Sequence, residues 1–284
     1  MAKKESTAVA EVTTNFDLVT GYEGMDEDTR AELEDEMDDF DDGGTIARMI
    51  RIPAGGGKNF QVETEDPDDP EELKEIQGVI LFTHKMNAWW RTAFGTGSGN
   101  EPPTCASMDG KQGVMYETGV IQNCDTCPMN QFKDDGSGKA CKNMRRIYIL
   151  MSGRPVPYLL NVPPTSMKGI TQTLRRIMGG NKVPYTSMIV SFRLQQATSR
   201  ANIKYSQVTV QKVGELSPEQ AKAVREIRTQ LKSQYQNVGI SRDDYEQDEG
   251  AAVRAAGSAP ADENGFINVP DSADDAGLPF NECV

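Results

Sequence analysis

The sequence predicts a mainly β protein of the α+β class, and three observations point there. Segments of alternating residues recur through the middle of the chain, as in Ile203, Tyr205, Gln207 and Thr209 against Lys204, Ser206, Val208 and Val210. Two segments in that middle carry helical signals, an apolar stripe of period 3.6 and a capping-box start. A polar, glycine-rich block with four cysteines interrupts the strands.

Charge sets the outer limits of the foldable part. Residues 1–43 hold 3 Lys or Arg against 15 Asp or Glu, and residues 239–284 hold 2 against 11. Residues 44–238 hold 25 against 17, a net of +8 inside a chain of formal charge −13. Dense like-charge segments poor in large apolar groups resist folding. The expectation is therefore a disordered acidic segment at 1–43, one domain at 44–238 and a disordered acidic tail at 239–284. A short helix around 28–40 is compatible with the first of these. Within the domain, residues 139–214 carry 13 Lys or Arg and no Asp or Glu. A long basic stretch in an acidic protein fits a surface for a polyanion.

The elements follow in order. Residues 45–52 alternate as a strand, and Pro53-Ala54-Gly55-Gly56-Gly57 is a turn. Residues 60–63 return as a second strand, 66–70 form a loop, and 78–84 form an apolar strand. After the cysteine block, strands are predicted at 145–151 and 158–162, around Gly153-Arg154-Pro155. Pro163-Pro164-Thr165-Ser166 starts a helix whose stripe is Met167, Ile170, Leu174, Ile177 and Met178, and Gly179-Gly180 ends it. Strands at 184–194 and 203–213 follow. Ser217-Pro218-Glu219-Gln220 opens a last helix over 217–236 with a capping-box pattern. Short strands with one intervening helix suit an OB-like barrel of five to seven strands, with the cysteine block at about 100–142 as an insertion.

Cys105, Cys124, Cys127 and Cys141 make the pattern C-x18-C-x2-C-x13-C. No apolar leader or span of about 20 residues appears, so a soluble, cytoplasmic protein with reduced cysteines is expected. Four thiolates close a tetrahedral Zn²⁺ site, and a block this polar needs such a source of folding energy. A redox Cys-x-x-Cys pair is the competing use, but it leaves Cys105 and Cys141 without a role. Unrelated cysteines are the third. One structural Zn²⁺ per chain in a zinc-ribbon-like element is the expectation. Four cysteine ligands leave no open position for catalysis, and Cys283 stands apart.

Single-strand binders pair a basic groove with rings on which bases stack. Lys85, Trp89, Trp90 and Arg91 stand together before the insertion. Beyond it, Tyr148, Tyr185, Phe192 and Tyr205 interleave with Lys142, Arg145, Arg146, Arg154, Arg193, Arg200 and Lys204. The helix adds Lys168, Arg175 and Arg176, and Lys182 follows it. For any single ring a place in the core competes with one on the surface. Adjacent Trp89 and Trp90 cannot both face one core from a strand. His84 is the chain's one histidine, so Ser–His–Asp and Cys–His machinery has little to draw on. Gly55-Gly56-Gly57-Lys58 lacks the spacing of a phosphate-binding P-loop. A non-enzymatic binding protein is expected.

Four motifs together carry a resemblance: Cys105-x3-Asp109-Gly110, Cys124-x2-Cys127-Pro128, Lys139-Ala140-Cys141-Lys142-Asn143-Met144-Arg145-Arg146 and Pro163-Pro164-Thr165-Ser166. Over about residues 45–213 the chain resembles single-strand-binding-like proteins of bacteriophages and integrative elements. The layout is similar to the helix-destabilising protein of T-even phages, where a zinc element is built into an OB-fold beside an acidic tail. That protein has a histidine among its ligands, where this sequence offers a fourth cysteine. The resemblance implies sequence-independent binding of single-stranded DNA in phage or mobile-element replication and recombination, with self-association along the strand. Asp274, Asp275, Leu278, Pro279 and Phe280 resemble the acidic tip with which bacterial single-strand-binding proteins dock replication and repair partners. Here four further residues follow the Phe. The alternative is a zinc-ribbon transcription or protein-interaction module that meets duplex DNA, RNA or polymerase.

Overall fold

The long strand at the centre of the molecule follows directly from its sequence. Residues 75–89 contain an almost unbroken apolar run, Val79-Ile80-Leu81-Phe82, which only a strand covered on both faces can bury. In the computed structural model, which describes residues 16–19, 26–38, 47–66, 68–92, 102–133, 138–199, 202–235 and 240, this is β4 (Glu75–Trp89). Before it come α1 (Glu27–Asp38), β1 (Arg48–Arg51), β2 (Phe60–Val62) and β3 (Glu71–Leu73). After it come β5 (Cys105–Ser107), β6 (Gln112–Met115), β7 (Ile121–Asn123), β8 (Lys142–Met151), β9 (Tyr158–Val162), α2 (Pro164–Asn181), β10 (Met188–Thr198), β11 (Lys204–Glu215) and α3 (Pro218–Gln234).

Among the described residues the protein is a mixed α/β structure with one large open sheet of 11 strands and three helices. The sheet runs β3-β2-β1-β9-β8-β4-β5-β6-β7, and β10 and β11 branch from β4. β4 pairs antiparallel with β8 from Gly78–Met151 to Ala88–Lys142, with an irregularity between Ile80 and Phe82. On its other edge, its first half pairs with β10 and its last residues with β5. β8 turns back into β9, and β1 lies parallel beside β9. The β1–β2 turn then reaches β11. Ser206 Oγ lies 2.8 Å from the carbonyl oxygens of both Pro53 and Gly57. Gln196 Nε2 donates to the Gly56 carbonyl at 3.3 Å. Gly56 has φ +85°, and a Cβ there would stand 2.8 Å from Gln196 Nε2, so glycine is required. These are side-chain bonds rather than a strand ladder. The open sheet has 11 strands where the sequence predicts five to seven for a partly open OB-like barrel, because short pairings at 71–73, 105–107, 112–115 and 121–123 lie in segments too polar to read as strands.

Two cores sit on opposite faces. α2 buries Ile170 and Leu174 against Ile50, Phe60, Ile147, Ile149, Val190 and Phe192. Its Ser166 Oγ accepts the Val208 amide at 2.9 Å, which ties the helix to β11. The helix runs through Gly179 and Gly180 to Asn181, where Asn181 Nδ2 donates to the Ile177 carbonyl and Lys182 turns left-handed with φ +55°. α3 covers the other face, packing Val224 and Leu231 over Val79, Leu81, Tyr148 and Leu159. Its predicted capping box is present: Ser217 and Gln220 bond each other's backbone amides.

Within the N-terminal segment, residues 16–19 and 26–38 are described. Leu18 is buried in the α3-side core with Phe16 against it, and Gly153 N–H donates to the Asp17 carbonyl at 2.9 Å. Apolar groups at positions 16 and 18, two apart, put both on one face of an extended segment. Asp26 caps α1 through the Thr29 amide, and this bond holds its carboxyl below the ordinary 3.8. Ile240 is likewise buried, against Met86, Trp90 and Met144, just past the expected domain end.

Candidate nucleic-acid interface and thiol cluster

The four cysteines come from four different places. Cys105 starts β5 and is opposite Trp89 of β4 and Met115 of β6. Cys124 follows β7, and Cys127 precedes the 3-10 turn Pro128–Asn130. Cys141 precedes β8, and its amide donates to the Met129 carbonyl at 2.7 Å. None is in a disulfide, and all four line one cavity of about 230 Å³ together with Trp89, Met115 and Met129. Gly113 makes the room: a Cβ there would lie 2.8 Å from Cys105 Sγ and 3.7 Å from Cys124 Sγ. Burial, then the charges of Cys124, Cys127 and Cys105, push the Cys141 thiol up to about 12. Burial and the same neighbours raise Cys105.

Among the described residues no group of three or more His, Cys, Asp or Glu side chains stands ready to hold a metal ion. The sulfurs share a cavity and an electrostatic field without standing at ligand spacing. Asn130 locks this cluster to the sheet. Its Nδ2 donates to the Cys124 carbonyl at 2.7 Å, and its Oδ1 accepts from Asn143 Nδ2 at 3.0 Å. Asn143 also donates to Asn87 Oδ1 at 2.7 Å, across the β4–β8 pair.

The structure sorts the predicted nucleic-acid residues sharply. Tyr148 and Phe192 are fully buried in the two cores and present no ring to solvent. Alternation along β8 and β10 puts them among apolar neighbours on faces that α3 and α2 cover. Arg146 is buried and donates to Asn161 Oδ1 at 3.1 Å, so its charge serves the interior. Trp90 is buried against Ile240, while Trp89 lines the cysteine cavity. The two rings take opposite faces, as the strand requires, and both faces are occupied. Of the residues expected at the interface, Tyr148, Phe192, Arg146 and Trp90 are thus buried. Arg154 pairs with Glu71 and Arg193 with Glu75, so acids from outside the acid-free stretch reach into it. The Ser191 hydroxyl and Arg193 hold the Glu75 carboxyl below its ordinary 4.5. Arg91 lies 3.7 Å from Glu117.

The remaining cations keep their place at the surface. Lys168, Arg175, Arg176 and Lys182 are exposed on α2 and its end, Lys204 on β11 and Lys85 on β4; Lys142 and Tyr205 are half-buried. Arg145, half-buried on β8, donates to Thr83 Oγ1 at 3.2 Å, while its Nε has no hydrogen-bond partner among the described residues. Burial and the nearby Arg175 guanidinium hold its pKa below the ordinary value, against the pull of Tyr185. Arg200 and the tail residues Asp274, Asp275, Leu278, Pro279 and Phe280 lie outside the described residues.

Sequence patterning missed two things. Asn130 looked like an ordinary loop asparagine. The rings of the cysteine block, Tyr116 and Phe132, are more exposed than the rings named from the strands. Their position in a block too polar for a core was the available signal. No helix among the described residues is long and apolar enough to cross a membrane. No family model, curated protein or solved structure matches the chain.

Proposed function

We propose that the protein binds single-stranded DNA without sequence preference and without catalysing a reaction, in phage or mobile-element replication or recombination. The observation that carries this is the acid-free stretch 139–214, which leaves Lys168, Arg175, Arg176 and Lys182 exposed on α2 and its end and puts Arg145, by strand alternation with Ile147 and Ile149, on the sheet face that α2 covers. The strand order supports an OB-like scaffold: a β4-β8-β9 meander, a helix, then β10 returning to β4 and β11 to β10, with β1 parallel beside β9. In that scheme the cysteine block is the insertion between the first two barrel strands, a usual contact loop of such folds. Cys105, Cys124, Cys127 and Cys141 would hold one structural Zn²⁺, for which the Gly113 gap leaves room. The ion would supply folding energy to a block that buries little. The acidic termini would compete with DNA for the cationic face, and the C-terminal tail would dock replication or recombination proteins.

Titration of the full chain with oligo(dT), duplex and RNA of equal length at two salt concentrations tests this. The expected result is tightest binding to single-stranded DNA, with log affinity falling as log salt rises. Arg145→Ala and Arg175→Ala should each lower that slope by about 0.7. Equal or tighter duplex binding would replace the proposal with the zinc-ribbon interaction module.

A further inference from the structure

The large apolar side chains that remain exposed among the described residues all fall within one short stretch, 114–132: Val114, Tyr116, Val120, Ile121, Met129 and Phe132. That stretch is the cysteine module, and the exposure is directional. Gly113 and Met115 lie toward the sulfurs, and Gln122 lines the same cavity. Val114 and Ile121, paired across β6 and β7, take the opposite face by strand alternation. Tyr116 follows at 70% exposure, and Phe132, in the next loop, is 76% exposed. Such rings gain nothing for the fold by facing water, and their clustering on one module marks a binding surface.

On top of the proposed single-strand function, we infer that Tyr116 and Phe132 are the base-stacking rings, so that unstacked bases of the bound strand lie on the outer face of the cysteine module rather than on the strand aromatics of the main sheet. Of the rings that sequence patterning favoured, Tyr148 and Phe192 are fully buried and Trp90 nearly so, while Tyr185 and Tyr205 are half-buried. A nucleic acid fits the module better than a purely apolar partner because a cation stands over one of the two rings. Lys139 Nζ stands 5.0 Å over the Phe132 ring, which places a charge for a phosphate beside a surface for a base. Lys111 and Lys133 are exposed close by in the sequence. The nearby acids are partly engaged: Asp109 accepts the Lys111 and Gln112 amides, and Glu117 faces Arg91. Asp125 is exposed, and Glu101, Asp134 and Asp135 add to the acids of the block, so the rings and Lys139 carry the inference rather than net charge.

The test uses the full chain and a short oligo(dT) that holds one protein. Tyr116→Ala and Phe132→Ala should each weaken binding about tenfold with an unchanged salt slope, because stacking releases no counterions. Tyr116→Phe and Phe132→Tyr should restore binding, which separates loss of a ring from loss of the module's fold. Wild-type binding to the short oligomer that the alanine variants match would overturn the inference and leave the function standing. If only binding to long strands suffers, the face joins copies of the chain, and the stacking assignment falls. A wild-type chain that binds no oligo(dT) overturns both.

Discussion

At position 84 the chain places its one histidine against Phe82 and Tyr235, with ring centroids 5.5 and 4.9 Å away. Its Nδ1 is 3.0 Å from the Lys85 carbonyl, and Nε2 is buried with no hydrogen-bond partner among the described residues. Burial, with the Arg146 and Arg145 guanidiniums adding to it, holds its pKa below the ordinary 6.5. The unfolded chain therefore takes up a proton that the folded chain resists. This contribution to stability is complete above about pH 6.5 and is lost as the pH falls through that value. Thermal melts at about pH 7.5 and about pH 5.5 should show a decline that His84→Phe reduces. An equal decline in the variant would show that other groups cause it. The packed histidine agrees with what a lone histidine in an apolar run suggests. Arg146 was less legible: it directly follows Arg145, yet strand alternation sends its guanidinium inward to Asn161 and leaves that of Arg145 half-buried on the other face.

Among the elements, the cysteine module was visible in outline and invisible in its attachment. Four cysteines and the surrounding glycines announced a cluster. The Asn87–Asn143–Asn130 chain that fixes it to β4 and β8 depends on contacts across 56 and 13 residues, which no local pattern encodes. Asn130→Ala would strand the Cys124 carbonyl and one Asn143 contact, at a cost of about 1–3 kcal/mol in a denaturant melt. The proposed ion makes a second expectation at this scale. Protein as purified should hold one zinc per chain, lost on thiol modification, and its removal should open the 105–141 amides to hydrogen exchange while β9 and β10 stay protected. A metal-free protein with those amides fully protected would refute the zinc assignment. The helices were the best-read elements, because capping chemistry is local: Ser217 with Gln220 works as the sequence indicated.

Over the whole molecule, the uneven charge was legible and its meaning only partly so. The basic stretch is spread over β8, β9, α2, β10 and β11, but Glu71 and Glu75 neutralise Arg154 and Arg193 within it. The surviving cationic face is smaller and centred on α2. Deleting 250–284 removes acidic charge that would compete for this face, and should tighten single-strand binding at low salt. Unchanged or weaker binding would sink the competition idea. Sheet order was beyond reach from the sequence, since the parallel placement of β1 beside β9 joins residues 110 apart. The central β4 has a consequence of its own. Its 15 residues span about 50 Å and belong at one end to the main sheet and at the other to the cysteine module. With β8 paired along nearly all of it, the two ends cannot swing independently without bending a double ladder. β4 is therefore a rigid mount: Arg145 stands opposite Lys85, two residues from the module's first pairing at Asn87, so the short separation between that arginine and the module is set when the protein folds.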